Sequence, residues 1–323
     1  MKVYINSVVA ITAQPALLQR EDEASWHPVA AADAVTSVDP EFREWLNPLK
    51  SRRWDKMMKR AAVCALSATR QAQIACPDAI ITGTGMGSLQ STSALMHALE
   101  QEGESASKPT DFMQSTHNTV GSLAAILLGC HGYNATYAQG GISFDLALGD
   151  ALMQMELGLI NNALVMGHDQ LLDEYVELMR LAGNEIKPFA SEVSAALMVT
   201  DDATNALCRI VGVETAYCPD ETQLRDMLAR LLSNSAKGQV DAVLCGEETM
   251  QVTPSPRLRY KQYYGECGVV AAAGVVAAAE MLRQGVAPAA MREDPQAGDL
   301  PVESLLLQNV AEDSVSLILM ERV

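Results

Sequence analysis

Histidine runs out early in this chain. His27, His97, His117, His131 and His168 are the five present, so no residue after 168 carries an imidazole. Cations are scarce as well: 23 Lys and Arg stand against 40 Asp and Glu, a formal net charge of −17. Phosphate recognition needs clustered Lys and Arg, so this balance excludes a nucleic-acid partner and argues equally against an anionic membrane surface. The seven cysteines, Cys64, Cys76, Cys130, Cys208, Cys218, Cys245 and Cys267, make no CxxC pair, and none is grouped with His at ligand spacing. No metal site is expected, and the odd, scattered set reads as buried thiols in a reducing cytoplasm. No apolar run is long and uncharged enough to span a membrane. The nearest, Val269–Ala279, is alanine-rich and too short, and reads as a buried helix. The N-terminus has one early Lys and a short apolar run broken by Asn and Gln, which fits a strand or hairpin better than a signal peptide. A dinucleotide fingerprint is missing too. GTGMGS (83–88) lacks GxGxxG spacing within a clear βαβ unit, and no cofactor is expected.

What is present organises around Asn134–Gly158, NATYAQGGISFDLALGDALMQMELG. Asn134 to Ala138 read as a short buried strand, and Gln139-Gly140-Gly141 as a tight turn. Ser143 is the expected N-cap of a long helix, with Asp145 favoured by the helix dipole and Gly158 as the stop. A strand that turns sharply into a helix is a common seat for a nucleophile, and here the turn carries glycine. With 49% hydrophobic residues, 323 residues allow one large or two small domains. Helices are expected over 51–72, 88–102, 118–128, 221–235 (with Asp220 as cap) and 267–285. Strands are expected at 78–83, 162–169, 192–202, 206–216, 241–248, 303–310 and 313–323. Residues 21–50, 103–110 and 253–267 read as loops. DAIITG (78–83) echoes DAVLCG (241–246), and alternating strands and helices occur twice over. This suggests two α/β halves, residues 1–205 and 206–323, sharing one core.

Five segments in order resemble a β-ketoacyl-acyl-carrier-protein synthase of the thiolase superfamily. ITGTGMGS resembles the first strand and glycine loop of that family, and NTVGSLAAILLGCHGYN (118–134) its Asn-led helix. NALVMGHD (162–169), KPFASEVSAALMVTDD (187–202) and KQYYGECGVVAAAGVVAAAEML (261–282) resemble three further family segments. The resemblance implies a thiolase-like α/β fold, with two similar halves stacked as a five-layer αβαβα sandwich, and a dimer as the working unit. It also implies a cysteine at the strand–helix turn and two histidines in the second half. An ungapped register puts Gly141 at the cysteine. A two-residue slip puts Gln139 there, the residue type that chain-length factors carry. The first histidine position falls at the end of DAVLCGEE, at Gly246 or Glu247, and the second at Glu266. Lys261 matches the family's lysine, and Lys261, Arg257 and Arg259 are candidate contacts for an acidic carrier protein. A carboxylate cannot replace a histidine donor to an oxyanion, because at neutral pH it accepts rather than donates. AED stands where the family has a GFGG gating loop.

The resemblance therefore implies a non-condensing, chain-length-factor-like subunit of a type II fatty-acid-like or polyene pathway. Its partner would be an active ketosynthase in a heterodimer, or a second copy in a homodimer, with an acyl carrier protein nearby. The alternatives are a carrier-bound malonyl decarboxylase using Gln139 and a homodimeric scaffold for acyl chains or carrier protein. A dimer contact is expected around 118–128 and 135–139.

Overall fold

The computed structural model describes residues 2–29, 32–103, 108–184, 186–246 and 252–323. Its main strands are β1 (Val3–Ile11), β2 (Ala79–Gly83), β3 (Tyr133–Tyr137), β4 (Asn162–Asp169) and β5 (Val193–Thr200). They are followed by β6 (Cys208–Tyr217), β7 (Ala242–Leu244), β8 (Arg257–Leu258), β9 (Ser304–Ala311) and β10 (Ser314–Glu321). Their hydrogen-bonded order is 8-7-9-10-6-1-5-4-2-3. In one flank β1 pairs β5 and β5 pairs β4, both antiparallel, while β4–β2 and β2–β3 are parallel. In the other flank β6–β10 and β10–β9 are antiparallel, and β9–β7 and β7–β8 parallel. Each strand thus has a counterpart five strands later, and the DAIITG and DAVLCG echo falls on the matched pair β2 and β7. Within the sheet, the described residues join the flanks through the short ladder Val3–Ile210, Tyr4–Arg209 and Ile5–Cys208.

Strand side chains alternate between faces, and that alternation builds the layers. Ala163 and Val165 of β4, Leu197 of β5, and Leu305 and Leu307 of β9 share one core. The same core contains Phe144 and Leu148 of helix α5 (Ser143–Glu156) and most of α9 (Val270–Gln284). The opposite-facing Leu164, Met166, Ala196 and Met198 pack with residues of α1 (Lys56–Ala72) and α4 (Thr119–Leu128). Val243, Leu306, Leu317 and Leu319 pack with α7 (Glu221–Ser233). The result is a five-layer αβαβα sandwich with α5 and α9 in the middle. Every residue from Val270 to Leu282 is buried, so the small side chains of α9 are what let both sheets approach it. Helix α5 lies directly against β2: a Cβ on Gly83 would lie 2.5 Å from the Phe144 backbone nitrogen, so β2 must end in glycine there.

Several sequence expectations change. The strand before the turn begins at Tyr133 and is not buried. Tyr133 and Asn134 are exposed and Ala135 to Tyr137 half-buried, because β3 is the sheet's edge and, among the described residues, no strand pairs its outer side. Ser143 is not the N-cap but the first residue of α5, with Ile142 at the cap position. On α4, Leu123 and Ala124 turn into the core while Ser122 and Ile126 face outward. The segment 253–267 holds β8 and the short helix α8 (Lys261–Tyr264), and α3 (Pro109–Gln114) starts within the stretch read as a polar loop. The sequence reading placed no element at α6 (Asp173–Leu181), where acidic and apolar residues interleave and no side chain is fully buried. Asp220 caps α7 as expected, through a reciprocal box with Gln223.

Candidate functional site

The glycine turn lies at the end of β3, where side-chain hydrogen bonds hold it. The Gln139 N–H donates to Ser143 Oγ at 2.8 Å, and that hydroxyl donates to the Gly140 carbonyl at 2.7 Å. Asn309 Nδ2, from β9, donates to the Gly141 carbonyl at 2.8 Å and to Asp145 Oδ2 at 3.0 Å. Gly140 adopts a left-handed φ of 54°, which glycine tolerates without penalty. Gly141 has a different reason for being glycine. A Cβ there would stand 2.3 Å from the Ala311 Cβ, well inside van der Waals contact. Ala311 ends β9 and pairs with Ser314 across a tight Glu312-Asp313 turn. The short AED hairpin therefore places a methyl group where a side chain at 141 would project.

The other positions singled out from sequence gather around the same point. Gly246 follows β7, and a Cβ on it would meet the Lys261 stem at 3.2 Å. Lys261 is buried, and its Nζ reaches Glu266 Oε2 at 2.5 Å. Burial pushes the Glu266 carboxyl up, and Lys261 pulls it back down. Glu266 is also fixed by its backbone: its N–H donates to the Phe189 carbonyl at 2.9 Å, and its carbonyl accepts from the Ser191 N–H at 3.0 Å. Arg259 binds the Gly246 carbonyl and Glu293, and Arg257 Nε lies 3.3 Å from Cys245 Sγ and 3.8 Å from Glu293. These three cations are thus largely turned inward onto carboxylates. Gln139 is exposed and does not line the cavity. Glu247 lies outside the described residues.

Gly141, Gly246, Lys261 and Glu266 line one cavity of ≈ 640 Å³. Met86, Tyr175, Met179 and Ile186 give it an apolar wall, and Glu312 and Lys187 also border it. Cys267 lines it too. Burial and the charges of Asp169 and Glu266 raise that thiol well above its ordinary range, so it stays protonated and is a poor nucleophile. The neighbouring glycine loop is not a phosphate cradle. Its Gly85 and Met86 N–H groups donate to Asp169 at 2.9 and 3.2 Å, alongside Thr84 Oγ1 at 2.8 Å. Burial nonetheless lifts Asp169 to about 6. Asp145, beneath the turn, is also fully buried and lifted to about 6, against the pull of Ser316, Asn309 and Lys261. Sequence reasoning marked AED, which begins at Ala311, only as a replaced loop, and gave no role to Asn309 or to Asp169 at the end of NALVMGHD. Among the described residues no group of three or more His, Cys, Asp or Glu is placed to hold a metal ion, and no helix is long and apolar enough to cross a membrane.

Residues 23–215, more than half of the chain, match the N-terminal domain of β-ketoacyl synthases, and the chain belongs to that family. No curated protein sequence matches it. Among solved structures, the ishigamide ketosynthase/chain length factor superposes with a TM-score of 0.78 at 14% identity, over 100% of this chain and 99% of that one. A type II polyketide synthase acyl-carrier protein in complex with its hexaketide-bound ketosynthase (AntDE:AntF) gives 0.77 at 15%, with the same coverage. The ketosynthase ApeO in complex with its chain length factor ApeC, from Xenorhabdus doucetiae, gives 0.76 at 12%, over 100% and 98%. At these identities the likeness establishes the thiolase-like fold.

Two outcomes follow from this geometry. Gly141→Cys forces a Cβ against Ala311 and should cost about 1–3 kcal/mol, as overpacking does. Ala311→Gly in the same chain should recover most of that loss, and a double-mutant cycle by urea denaturation measures the coupling. The second outcome concerns pH. Asp145 is raised from 3.8 to about 6, so the folded protein holds a proton that the unfolded chain releases between those values. The cost of the buried carboxylate is therefore fully present above about pH 6 and vanishes below about pH 4. Asp145→Asn should remove it, and the variant's stability relative to the parent should rise by roughly 3 kcal/mol from pH 4 to pH 7.5.

Proposed function

We propose that this chain is a non-condensing member of the β-ketoacyl synthase family, acting like a chain-length factor beside an active ketosynthase. The carrying observation is the contact of Ala311 with Gly141, which leaves no room for a nucleophile where the family's resemblance implies one. Two further features support it. The Lys261 stem lies against Gly246, and Glu266 is tied to Lys261, so the cavity offers no neutral donor pair for an oxyanion at those positions. No histidine follows His168 that could supply one. We read residues 1–205 and 206–323 as two ketosynthase-like halves of one compact unit.

The partner reading rests on the outer face of the first half. β3 offers an unpaired edge, and Ile126, Tyr133, Met153 and Leu157 are exposed beside it at 79%, 40%, 51% and 65%. An exposed edge strand with apolar neighbours is a natural site for pairing with another chain. A ketosynthase is the partner that fits the fold, and the structurally similar ApeO–ApeC complex is such a pair. A homodimer is expected when the chain is expressed alone. In this reading an acyl carrier protein serves the partner's thiol. Docking it on this chain through Lys261, Arg257 and Arg259 would require their ion pairs to open. The pathway is type II polyketide or fatty-acid-like. No observation favours decarboxylation by Gln139, which is exposed and outside the cavity.

The chain, expressed in its native host, should co-purify with a Cys-containing ketosynthase. The reconstituted pair should elongate a malonyl-carrier substrate, while this chain alone should not. Ile126→Glu should break the association and leave the monomer folded. By contrast, Ala125→Glu would also disturb the core that Ala125 packs against. Purification as a folded monomer with no partner, or condensation by the single chain, would overturn the proposal.

A further inference from the structure

We propose that Cys76 and Cys130 form a reversible disulfide across the base of β2 and β3, so that this corner of the molecule is an oxidant-responsive site. The register brings the two together. The parallel ladder of β2 and β3 opens with the pair Ala79–Tyr133, and each cysteine stands three residues before its member of that pair. The two chains are still in contact there. The Tyr133 N–H donates to the Asp78 carbonyl at 3.2 Å, and a Cβ on Gly132 would lie 2.1 Å from that same oxygen. Cys76 Sγ is 3.9 Å from the carbonyl of Gly129, the residue before Cys130. Adjacent strands lie about 4.8 Å apart, within the Cα separation a disulfide spans. The Cys76 thiol also acts directly on Cys130, joining burial in raising it.

Both segments are held in place. Pro77 is buried immediately after Cys76. The Asp78 carboxylate accepts from the Asn161 N–H at 2.8 Å and from Asn162 Nδ2 at 3.2 Å, and Asn162 Oδ1 accepts from the Asp78 N–H at 3.0 Å. Gly129, at φ 65°, ends α4 and delivers Cys130. The pair is asymmetric, with Cys76 exposed and Cys130 buried. Cys64, Cys208 and Cys245 are buried, and Cys218 is exposed at the far end of β6.

The chemistry needs a two-electron oxidant, and hydrogen peroxide suffices. The exposed Cys76 sulfur attacks the peroxide O–O bond, becomes a sulfenic acid and releases one water. The Cys130 thiol is raised, so its thiolate is scarce, and its place beside Cys76 offsets that scarcity. The Cys130 sulfur attacks the Cys76 sulfur, and the S–OH oxygen leaves as a second water with the Cys130 proton. Two thiols and one peroxide thus give one disulfide and two waters. The new bond ties α4 and the edge strand β3 to β2, and thiol exchange with a reductant reverses it.

The protein, treated with equimolar hydrogen peroxide, should lose the mass of two hydrogens, and on alkylation under denaturing conditions should take up two fewer alkyl groups than the untreated chain. It should yield a Cys76–Cys130 cross-linked peptide that dithiothreitol cleaves. Oxidation should raise the melting temperature by several degrees and slow amide exchange along 130–137. In Cys130→Ser the reaction should stop at a Cys76 sulfenic acid that dimedone traps, and Cys76→Ser should leave Cys130 reduced. A lone sulfenic or sulfinic acid on Cys76 in the unmutated protein, or cross-links only to other cysteines, would overturn the proposal.

Discussion

The site depends on one steric contact, the methyl of Ala311 against the bare Cα of Gly141. The contact is possible because β9 and β10 turn back on themselves within two residues, so their hairpin reaches the glycine turn instead of looping away. Asn309 then bonds the two together, reaching the Gly141 carbonyl and the Asp145 carboxylate with one amide group. The strand–turn–helix of the first half and the last hairpin of the second are thus locked face to face. A side chain at 141 and the present hairpin compete for one space, which ties the glycine at 141 and the short AED turn into one structural feature.

Electrostatics reinforce that feature. The buried Lys261 ammonium serves Glu266 directly and Asp145 at longer range, while Asp169 sits close by among backbone donors. Lys187, Lys261, Glu266 and Glu312 border the cavity, with the buried carboxylates Asp145 and Asp169 close behind. Under the proposed role an anionic extender would find Lys261 already committed to Glu266. The apolar wall formed by Met86, Tyr175, Met179 and Ile186 survives beside it. The cavity thus sets an apolar wall beside ion-paired groups, and the proposed tunnel-shaping role rests on that wall.

Much of the architecture was legible because it is periodic. The buried runs at 79–83, 163–166 and 242–244 read as strands on composition alone. The weak DAIITG and DAVLCG echo marks topologically equivalent strands in the two flanks. The small-residue run at 270–282 announced a helix buried on all sides. What failed was whatever depends on a neighbour. Tyr133–Tyr137 has a strand's composition, but its exposure follows from being at the sheet's edge, which no local pattern records. Ser143 looks like a cap, yet its hydroxyl closes the preceding turn instead. In the site, the glycine at 141 and the AED stretch were each visible, but that the two meet across 170 residues of chain is a matter of tertiary packing that neither motif records.

The most direct measurement is the intact mass of the purified chain after incubation with an excess of a reactive acyl thioester, alongside a Cys-containing ketosynthase under the same conditions. The account predicts an unchanged mass for this chain and an acyl adduct on the ketosynthase. A stable acyl adduct on this chain, mapped to any residue lining the ≈ 640 Å³ cavity, would contradict it.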